Sequence, residues 1–272
     1  MRTQELIAHI AQWLKAYATG EGMTGFVVGV SGGVDSAVVS ALCGHTGMPS
    51  LSLYLPIAQG TDEDARARDH LAWLQARFPQ MESTTVDLTE VFAGMDRTLG
   101  AIPLPADLAM ARVNLKSRLR LCTLYYAATA TQRLVVGTAN RTEQQVGFFA
   151  KYGDVDMDLN PIAGLSKSEV YELAAALGVA ERIRHADPTD GLWPDGRTDR
   201  DQIGAGYGEL DWALEVRTAE QDTRMMGLTA RQHEVLRIYD ERHRDNTHKL
   251  EPPPRCPIPF RLRLPPAPVT EK

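Results

Sequence analysis

The sequence predicts an α/β fold, a single domain in which a Rossmann-like parallel sheet is flanked by helices. Short apolar segments alternate with longer amphipathic ones along the chain, the pattern of strands alternating with helices. A glycine-rich turn follows the first apolar segment and opens a helix, at the position where such sheets bind ligands. The chain has 272 residues, 43% of them hydrophobic, which is enough to bury one sizeable core.

The first half of the chain alternates helices and strands. An apolar face formed by Leu6, Ile10, Trp13 and Leu14 predicts the first helix, and glycines bound the apolar run of the first strand. The predicted elements are, in order, a helix over 5–16, a strand over 25–30, a helix over 35–43, a strand over 51–55, a helix over 62–78 and a strand over 83–88.

The second half continues the alternation. We expect a long helix over 107–131, a strand over 133–138 and a last helix over 229–245. Ser166 and Glu169 form a capping box that starts another helix, which Gly178 ends. The polar, glycine-rich stretch 189–206 is typical of a lid or of a disordered loop.

The composition limits the possible functions. The net charge of −6 argues against a nucleic-acid partner. The sequence contains neither a run of 18 apolar residues nor a signal-peptide h-region, so we expect no membrane association. Three scattered cysteines without a C-x-x-C pair suit a reducing cytoplasm and argue against a disulfide scaffold or zinc ribbon; they are Cys43, Cys122 and Cys256.

Prolines concentrate at the end of the chain. Of the 16 prolines, 8 follow Glu251, and proline suits neither a helix interior nor a central strand. We therefore expect the domain to cover 1–250 and a proline-rich tail to cover 251–272. The tail is either disordered or an ordered arm packed on the body or on a partner subunit.

The most informative segment is the turn GVSGGVDS at 29–36. Two adjacent glycines, Gly32 and Gly33, allow close backbone approach, and the N–H groups at the start of the helix can cradle an anion. Ser31 and Ser36 add hydroxyl donors. A carboxylate at Asp35 would repel phosphate unless it also held Mg²⁺. The turn therefore predicts a pyrophosphate–metal site.

The turn also matches or excludes several other motifs. The Walker A string is absent from the chain, and the dinucleotide-binding string is absent from the turn. The letters G-x-S-x-G do match the nucleophile elbow of α/β-hydrolases, with Ser31 as nucleophile and several later histidines available. That assignment leaves Gly32, Asp35 and Ser36 without a role. A purely structural turn is the remaining alternative. The available histidines are His185, His233, His243 and His248.

The motif SGGVDS resembles the pyrophosphate-binding loop of the N-type ATP pyrophosphatases, the PP-loop family, and the rest of the chain is similar to its NAD synthetase branch. The similar blocks lie, in register, at 113–120, 137–143, 147–161, 188–193 and 199–211. The resemblance implies ATP-dependent amidation of deamido-NAD through an adenylated intermediate, giving NAD, AMP and pyrophosphate. Because 272 residues leave no room for the amidase domain of glutamine-dependent members, it implies free ammonia as nitrogen donor.

The resemblance also implies roles for individual residues on the ATP side of the site. Asp35 and Glu143 would bind Mg²⁺, and Asp35 would be essential for catalysis. Lys167 would contact the ATP phosphates, although a cation is unfavourable in the first turn of a helix. The implied ATP-binding residues are Gly29, Val30, Ser31, Gly32, Gly33, Val34, Asp35, Ser36, Thr138, Lys167 and Thr189.

A second set of residues would bind deamido-NAD: Arg118, Lys151, Asp158, His248 and Lys249. Lys151 would also be catalytic, and Asp154 is a candidate base for ammonium. We expect the basic residues of both sets to share one cleft with Mg²⁺. The resemblance further implies a homodimer, for which the N-terminal helix and the 107–131 helix are the expected interface.

Each alternative function would require different sequence features. Another PP-loop ligase, such as a tRNA-modifying one, would carry a basic face and often paired cysteines. An α/β serine hydrolase would use Ser31. A catalytically silent nucleotide-binding protein would lack some of the phosphate and metal positions, which are all filled in this sequence.

Overall fold

The computed structural model describes residues 2–104, 107–155, 157–193, 195–219 and 227–262. It confirms the predicted α/β class. Within the described residues the sheet has four parallel strands in the order β3-β2-β1-β4. The strands are β1 (Phe26–Gly29), β2 (Ser50–Tyr54), β3 (Met81–Thr85) and β4 (Leu134–Val136).

Helices cover both faces of the sheet. They are α1 (Thr3–Gly20), α2 (Val34–His45), α3 (Thr61–Arg77), α4 (Thr89–Leu99), α5 (Ala109–Thr131), α6 (Arg141–Val146), α7 (Lys167–Leu177), α8 (Glu181–Arg184), α9 (Asp199–Ile203), α10 (Tyr207–Thr218) and α11 (Ala230–Asn246). A short 3-10 turn, Thr247–Lys249, continues α11. Within the described residues, no helix combines the length and apolar character needed to cross a membrane.

Successive residues of β1 point to opposite faces and so join different cores. Phe26 and Val28 are buried with residues of α1, α2 and α7, whereas Val27 is buried with Leu124 and Ala128 of α5. Because both faces are covered, the strand is apolar throughout rather than alternating. A third apolar cluster joins α6, α10 and α11 beside the sheet.

The order of the strands determines where on the sheet a ligand site can form. The chain moves outward from β1 to β2 and β3, then returns to place β4 on the other side of β1. This reversal opens a crevice at the carboxyl ends of β1 and β4, where sheets of this kind bind ligands. The glycine-rich turn follows β1 directly and leads into α2.

Several local predictions are confirmed, and some are wrong in detail. Ser166 and Glu169 form the expected reciprocal capping box of α7, which ends at Gly178 with φ 79°. The strand predicted over 83–88 begins earlier and ends at Thr85. The stretch 189–206, predicted to be one long loop, contains the short helix α9; its Pro194 lies outside the described residues.

The end of the chain is described only in part. Residues 251–260 and Leu262 are exposed, and Phe260–Leu262 forms one 3-10 turn. Residues 263–272 of the predicted tail lie outside the described residues. The domain boundary near residue 250 stays a prediction.

Candidate active site

A cleft at the carboxyl ends of β1 and β4 gathers most of the predicted ATP-side residues. It encloses about 1500 Å³, part of it open to solvent. Its predicted lining residues are Gly29, Val30, Ser31, Gly33, Val34, Asp35, Ser36, Thr138, Glu143, Asp154, Lys167 and Thr189. Residues from the start, middle and second half of the chain therefore converge on one crevice.

The glycine-rich turn is held by its own hydroxyl groups. The Ser31 N–H donates to Ser36 Oγ at 3.1 Å, and the Gly33 N–H donates to Ser31 Oγ at 3.2 Å. Gly32 has φ +85°, and a Cβ there would lie 2.7 Å from the carbonyl oxygen of Glu63 in α3. Glycine is therefore required at Gly32, which packs on α3 and does not itself line the cleft.

The charged centre of the cleft is a lysine between two carboxylates. Lys167 Nζ lies 2.5 Å from Asp35 Oδ2 and 2.9 Å from Glu143 Oε1, and its side chain is 4% exposed. Asn140 Nδ2 donates to the other oxygen of Asp35 at 2.9 Å. The ring of Tyr207 covers the ammonium at 4.4 Å from ring centroid to Nζ. Both carboxylates are thus fixed in orientation before any ligand binds.

Burial and neighbouring charge shift the pKa values of this centre. Burial, reinforced by Asp35, raises the pKa of Glu143 to about 7 against the opposing effect of Lys167. Burial alone would lower the pKa of Lys167, but Asp35 and Glu143 outweigh it and raise that pKa above its ordinary value. Lys167 therefore stays a cation at neutral pH, and burial makes it harder for Glu143 than for an ordinary glutamate to lose its proton.

Four helices point their N-termini at this centre. Asp35 lies in the first turn of α2, and Glu143, Lys167 and Asp199 lie in the first turns of α6, α7 and α9. Each of α6, α7 and α9 begins with a reciprocal capping box. Because the N-terminal ends of helices carry partial positive charge, their convergence favours an anionic ligand.

Asp211 of α10 ties two of these N-termini together. Its carboxylate accepts hydrogen bonds from the Thr142 hydroxyl in α6 at 2.5 Å and from the Ser168 N–H in α7 at 2.9 Å. Asp211 is buried and lies behind the cleft. It therefore sets the distance between the helix that carries Glu143 and the helix that carries Lys167.

Asp199 and Tyr207 were missed as individual site residues. The Tyr207 hydroxyl lies 2.8 Å from Asp199 Oδ2 and 3.1 Å from Glu143 Oε1. Burial raises the pKa of Asp199 to about 6, and its Oδ1 is buried with no hydrogen-bond partner among the described residues. The signal that could have found them is the similarity block 199–211, which contains both residues.

The segment 187–193 crosses the cleft and is held by side chains from the opposite wall. Gln59 donates to the Gly191 carbonyl at 3.1 Å, and the Lys116 ammonium donates to the Leu192 carbonyl at 2.7 Å. Arg120 in turn holds Gln59 through a 2.8 Å hydrogen bond. These contacts fix Thr189 at the cleft, because it precedes Gly191 by two residues.

Asp154 lines the same cleft from a buried position. Its Oδ2 accepts a hydrogen bond from the Ala150 N–H at 2.8 Å. Burial raises its pKa despite that bond and the nearby charge of Arg120. A carboxyl with a raised pKa in a cleft suits proton transfer.

The residues predicted to bind deamido-NAD lie outside this cleft. The Arg118 guanidinium donates to the Lys151 carbonyl at 3.1 Å, and the Lys151 ammonium donates to the His248 carbonyl at 2.5 Å. Lys249 donates to two carbonyls of the 147–149 turn. Asp158 accepts a hydrogen bond from the Val135 N–H of β4 at 2.8 Å.

The expectation that all four predicted cations share one cleft is therefore wrong for this structure. Lys167 lines the cleft, whereas Arg118, Lys151 and Lys249 do not. The physical reason is that their charged groups are satisfied by backbone carbonyls, which join the end of α11 to the 147–151 turn. These three residues form a neighbouring basic group with a separate position.

The donor set of Asp35 and Glu143 is compatible with Mg²⁺. The described residues contain no group of three or more His, Cys, Asp or Glu side chains placed to hold a metal ion. Mg²⁺ is usually bound through one or two carboxylates together with water and substrate phosphates, so a complete protein cage is not required. The ammonium of Lys167 already shows that this pair of carboxylates accepts a cation.

The hydrolase alternative fails on geometry. Ser31 Oγ makes its hydrogen bonds with Ser36 and Gly33 in the same turn. None of the described residues that line the cleft is a histidine. Ser31 therefore has no general base, which a nucleophilic serine needs within hydrogen-bond reach.

Comparison with known proteins relates the chain to one enzyme family. The NAD synthase family model matches residues 6–253. An NH(3)-dependent NAD(+) synthetase from Finegoldia magna is 37% identical over 212 residues, covering 78% of this chain and 84% of that protein. One from Archaeoglobus fulgidus is 33% identical over 255 residues, covering 93% and 97%. The solved structure of NMN synthetase from Francisella tularensis superposes with a TM-score of 0.83 at 28% identity, covering 95% of this chain and 100% of that chain.

Proposed function

Because this chain belongs to the NAD synthase family, we propose that its cleft binds MgATP and the nicotinate end of deamido-NAD and joins ammonia to the nicotinate carboxyl group. The reaction is an AMP-forming carbon–nitrogen ligation with NAD, AMP and pyrophosphate as products. One observation carries the proposal. The turn at 29–36 shares a single cleft with Asp35, Glu143 and Lys167, in a chain that matches the family over 6–253.

The first step is adenylation of the carboxylate. A nicotinate oxygen attacks the α-phosphorus of ATP, the bond to the β-phosphate oxygen breaks, and pyrophosphate leaves. The N–H groups and hydroxyls of the 29–36 turn bind the leaving phosphates, and Lys167 offsets charge that develops on them. Thr138 and Thr189 border the same cleft and hold the rest of the nucleotide.

The second step is attack by ammonia on the activated carbonyl carbon. The carbon–nitrogen bond forms and AMP leaves with the electrons of the carbon–oxygen bond. Ammonia must lose a proton in this step, and Asp154 is the cleft carboxyl we assign to take it. Its raised pKa makes it a stronger base than an ordinary aspartate.

Asp35 and Glu143 are the residues that would hold Mg²⁺. When bound, the ion would withdraw charge from the leaving pyrophosphate. Lys167 must then leave at least one of the two carboxylates. Its long unbranched side chain can move from them toward a phosphate oxygen without a change in the backbone.

The neighbouring basic group, together with His248, extends the site. Arg118, Lys151, His248 and Lys249 lie next to the cleft through the 147–151 turn, and we assign them, with Asp158, to deamido-NAD. Lys151 keeps its proposed catalytic role only if substrate draws its ammonium away from His248. Arg118 belongs to α5, so a dimer formed through α5 and α1 would place this group near the subunit boundary. Apolar rings on these helices are exposed: Trp13, Tyr17 and Tyr126.

A shorter substrate is the second candidate. The superposition on the Francisella tularensis NMN synthetase covers nearly the whole chain, and both products carry the same nicotinamide group. The charged centre described above is assigned to the ATP phosphates and Mg²⁺, which both reactions share, so it does not discriminate between a mononucleotide and a dinucleotide. The identities of 37% and 33% to NAD synthetases favour the dinucleotide.

One assay tests both candidates. Purified protein is mixed with ATP, MgCl₂ and ammonium chloride, and with either deamido-NAD or nicotinate mononucleotide. We expect NAD, AMP and pyrophosphate in equal amounts, with a higher kcat/KM for deamido-NAD.

A folded protein that forms no amide from either substrate contradicts the proposal. Gel filtration of the same sample tests the homodimer, and the three free cysteines support a cytoplasmic location.

A further inference from the structure

The cleft is acidic, although its proposed ligand is a polyanion. Among the described residues that line it, seven are Asp or Glu and three are Lys or Arg. ATP carries about four negative charges at neutral pH, so the nucleotide needs every available cation. The three basic residues are Arg66, Arg120 and Lys167.

Two of these cations are already committed. Lys167 is held between Asp35 and Glu143. Arg120 is half-buried, and it donates to the Leu55 carbonyl at 3.0 Å and to Gln59 at 2.8 Å. Neither side chain can turn its full charge toward a phosphate without giving up these contacts.

Arg66 is the exception. Its Nε donates to the Gly32 carbonyl of the glycine-rich turn at 3.1 Å. Among the described residues, its two terminal nitrogens make neither a hydrogen bond nor an ion pair. The guanidinium is therefore anchored on the turn by one nitrogen while the other two remain available.

Backbone packing fixes this position. A Cβ on Gly32 would lie 3.4 Å from Arg66 Cβ and 3.1 Å from the Ala67 nitrogen, so α3 lies directly against the turn. Arg66 approaches from α3 and Lys167 from α7, and both line the cleft that the turn forms. The turn thus has a basic side chain contributed by each of two different helices.

We propose that Arg66 binds the β- and γ-phosphates of ATP and the pyrophosphate formed from them. A guanidinium presents parallel N–H groups that match two phosphate oxygens, and the anchor to Gly32 reduces the freedom lost on binding. The proposal rests on the proposed function, because it assumes that the 29–36 turn receives these phosphates. No role for Arg66 follows from the sequence motifs, since it lies outside all of them.

Calorimetric binding in the presence of Mg²⁺ tests the assignment. We expect Arg66→Gln to weaken the binding of ATP and of pyrophosphate by about 10- to 100-fold, the usual effect of losing hydrogen bonds to a charged group. AMP binding should be unchanged, because AMP lacks the β- and γ-phosphates. Arg66→Lys should be intermediate, since it keeps the charge and loses the paired N–H groups.

Controls separate the possible outcomes. Arg77→Gln removes a charge from the exposed end of the same helix and should bind all three ligands like the wild type. Arg66→Gln with wild-type affinity for ATP and pyrophosphate would overturn the assignment. If Arg66→Gln weakened AMP binding as much as ATP binding, the assignment would also be overturned. That result would indicate that Arg66 only stabilises the turn around Gly32. Wild-type protein that neither binds ATP nor forms NAD contradicts the proposed function instead.

Discussion

Lys167 Nζ lies 2.5 Å from Asp35 Oδ2, although 132 positions separate the two residues in the chain. The same ammonium lies 2.9 Å from Glu143. The lysine therefore occupies the space between the two carboxylates that we assign to Mg²⁺. The contact joins the turn after β1 to the first turn of α7.

Lys167→Met should cost both stability and activity. Two buried carboxylates would be left without their cation, and breaking such a pair usually costs about 3–5 kcal/mol of the free energy of unfolding. We expect turnover to fall at least about 100-fold as well, because a group that offsets charge on the leaving phosphates is lost. Denaturant unfolding and NAD formation measure the two effects.

The double variant Lys167→Met with Asp35→Asn separates the effect on stability from the effect on turnover. Removing one carboxylate charge relieves the repulsion, so much of the stability should return while turnover stays low. A double variant no more stable than Lys167→Met would show that the charges are not coupled.

Asp35→Asn alone tests the metal assignment. The amide keeps the shape of the side chain, and Glu143 still holds Lys167, so the melting temperature should change little. Turnover should nearly vanish at all Mg²⁺ concentrations, since an amide is a poor ligand for the ion. Initial rates across a MgCl₂ titration provide the measurement. Near-normal turnover at the wild-type Mg²⁺ requirement would show that Asp35 does not hold the metal.

Gly191→Ala should raise the KM for ATP several-fold. Gly191 has φ +61°, and an added Cβ would overlap the amide end of Gln59. Gln59 must then move away and give up its hydrogen bond to the Gly191 carbonyl, which loosens the 187–193 segment at the cleft. Gly196→Ala is a matched control, because its φ of +68° imposes similar strain while nothing lies within 4 Å of the added atom. Both variants should lose about 1–2 kcal/mol of stability from that strain. Equal KM values for ATP in the two variants would indicate that the segment does not contact the nucleotide.

The free energy of unfolding should fall as the pH drops from about 6.5 to about 4. His70 is 2% exposed, and Ser40 Oγ lies 2.9 Å from its Nε2. Burial lowers its pKa to about 4, outweighing a hydrogen bond to Ala37. Because the unfolded chain binds a proton in this range and the folded chain does not, the loss reaches about 3 kcal/mol at the lower limit.

Denaturant unfolding at several pH values checks this prediction. His70→Gln should be less stable at neutral pH but should show a flatter decline with acid. A smaller slope should remain, since burial also lowers the pKa of His45. Parallel pH profiles for the variant and the wild type would rule out His70 as the acid-sensitive group.

The sequence was most informative where the signal is contiguous. The strand, glycine turn and helix around 29–36 are adjacent in the chain, so the turn could be recognised from local chemistry alone. The long helix predicted over 107–131 is observed as Ala109–Thr131, because many turns establish its extent. By contrast, α6, α8 and α9 have 6, 4 and 5 residues, too few for a periodic pattern to emerge.

Residues brought to the site by packing were not predictable in this way. Arg66 reaches the cleft because α3 lies against Gly32, and Tyr207 reaches it because α10 packs beside α6 and α7. The positions of Lys151 and Lys249 depend on which backbone carbonyls come within reach of their ammonium groups. Composition and motif spacing carry no information about such contacts.

The capping boxes of α6, α7 and α9 have a thermodynamic consequence. Glu143, Lys167 and Asp199 each lie in a first turn whose N-cap and third N–H groups are bonded by side chains of the same capping box. The backbone entropy of these turns is therefore lost when the chain folds, and a ligand does not have to order them again. A nucleotide that enters the cleft therefore has only side chains to rearrange. We expect coupled folding to contribute little to the heat-capacity change of binding, and the backbone to move little.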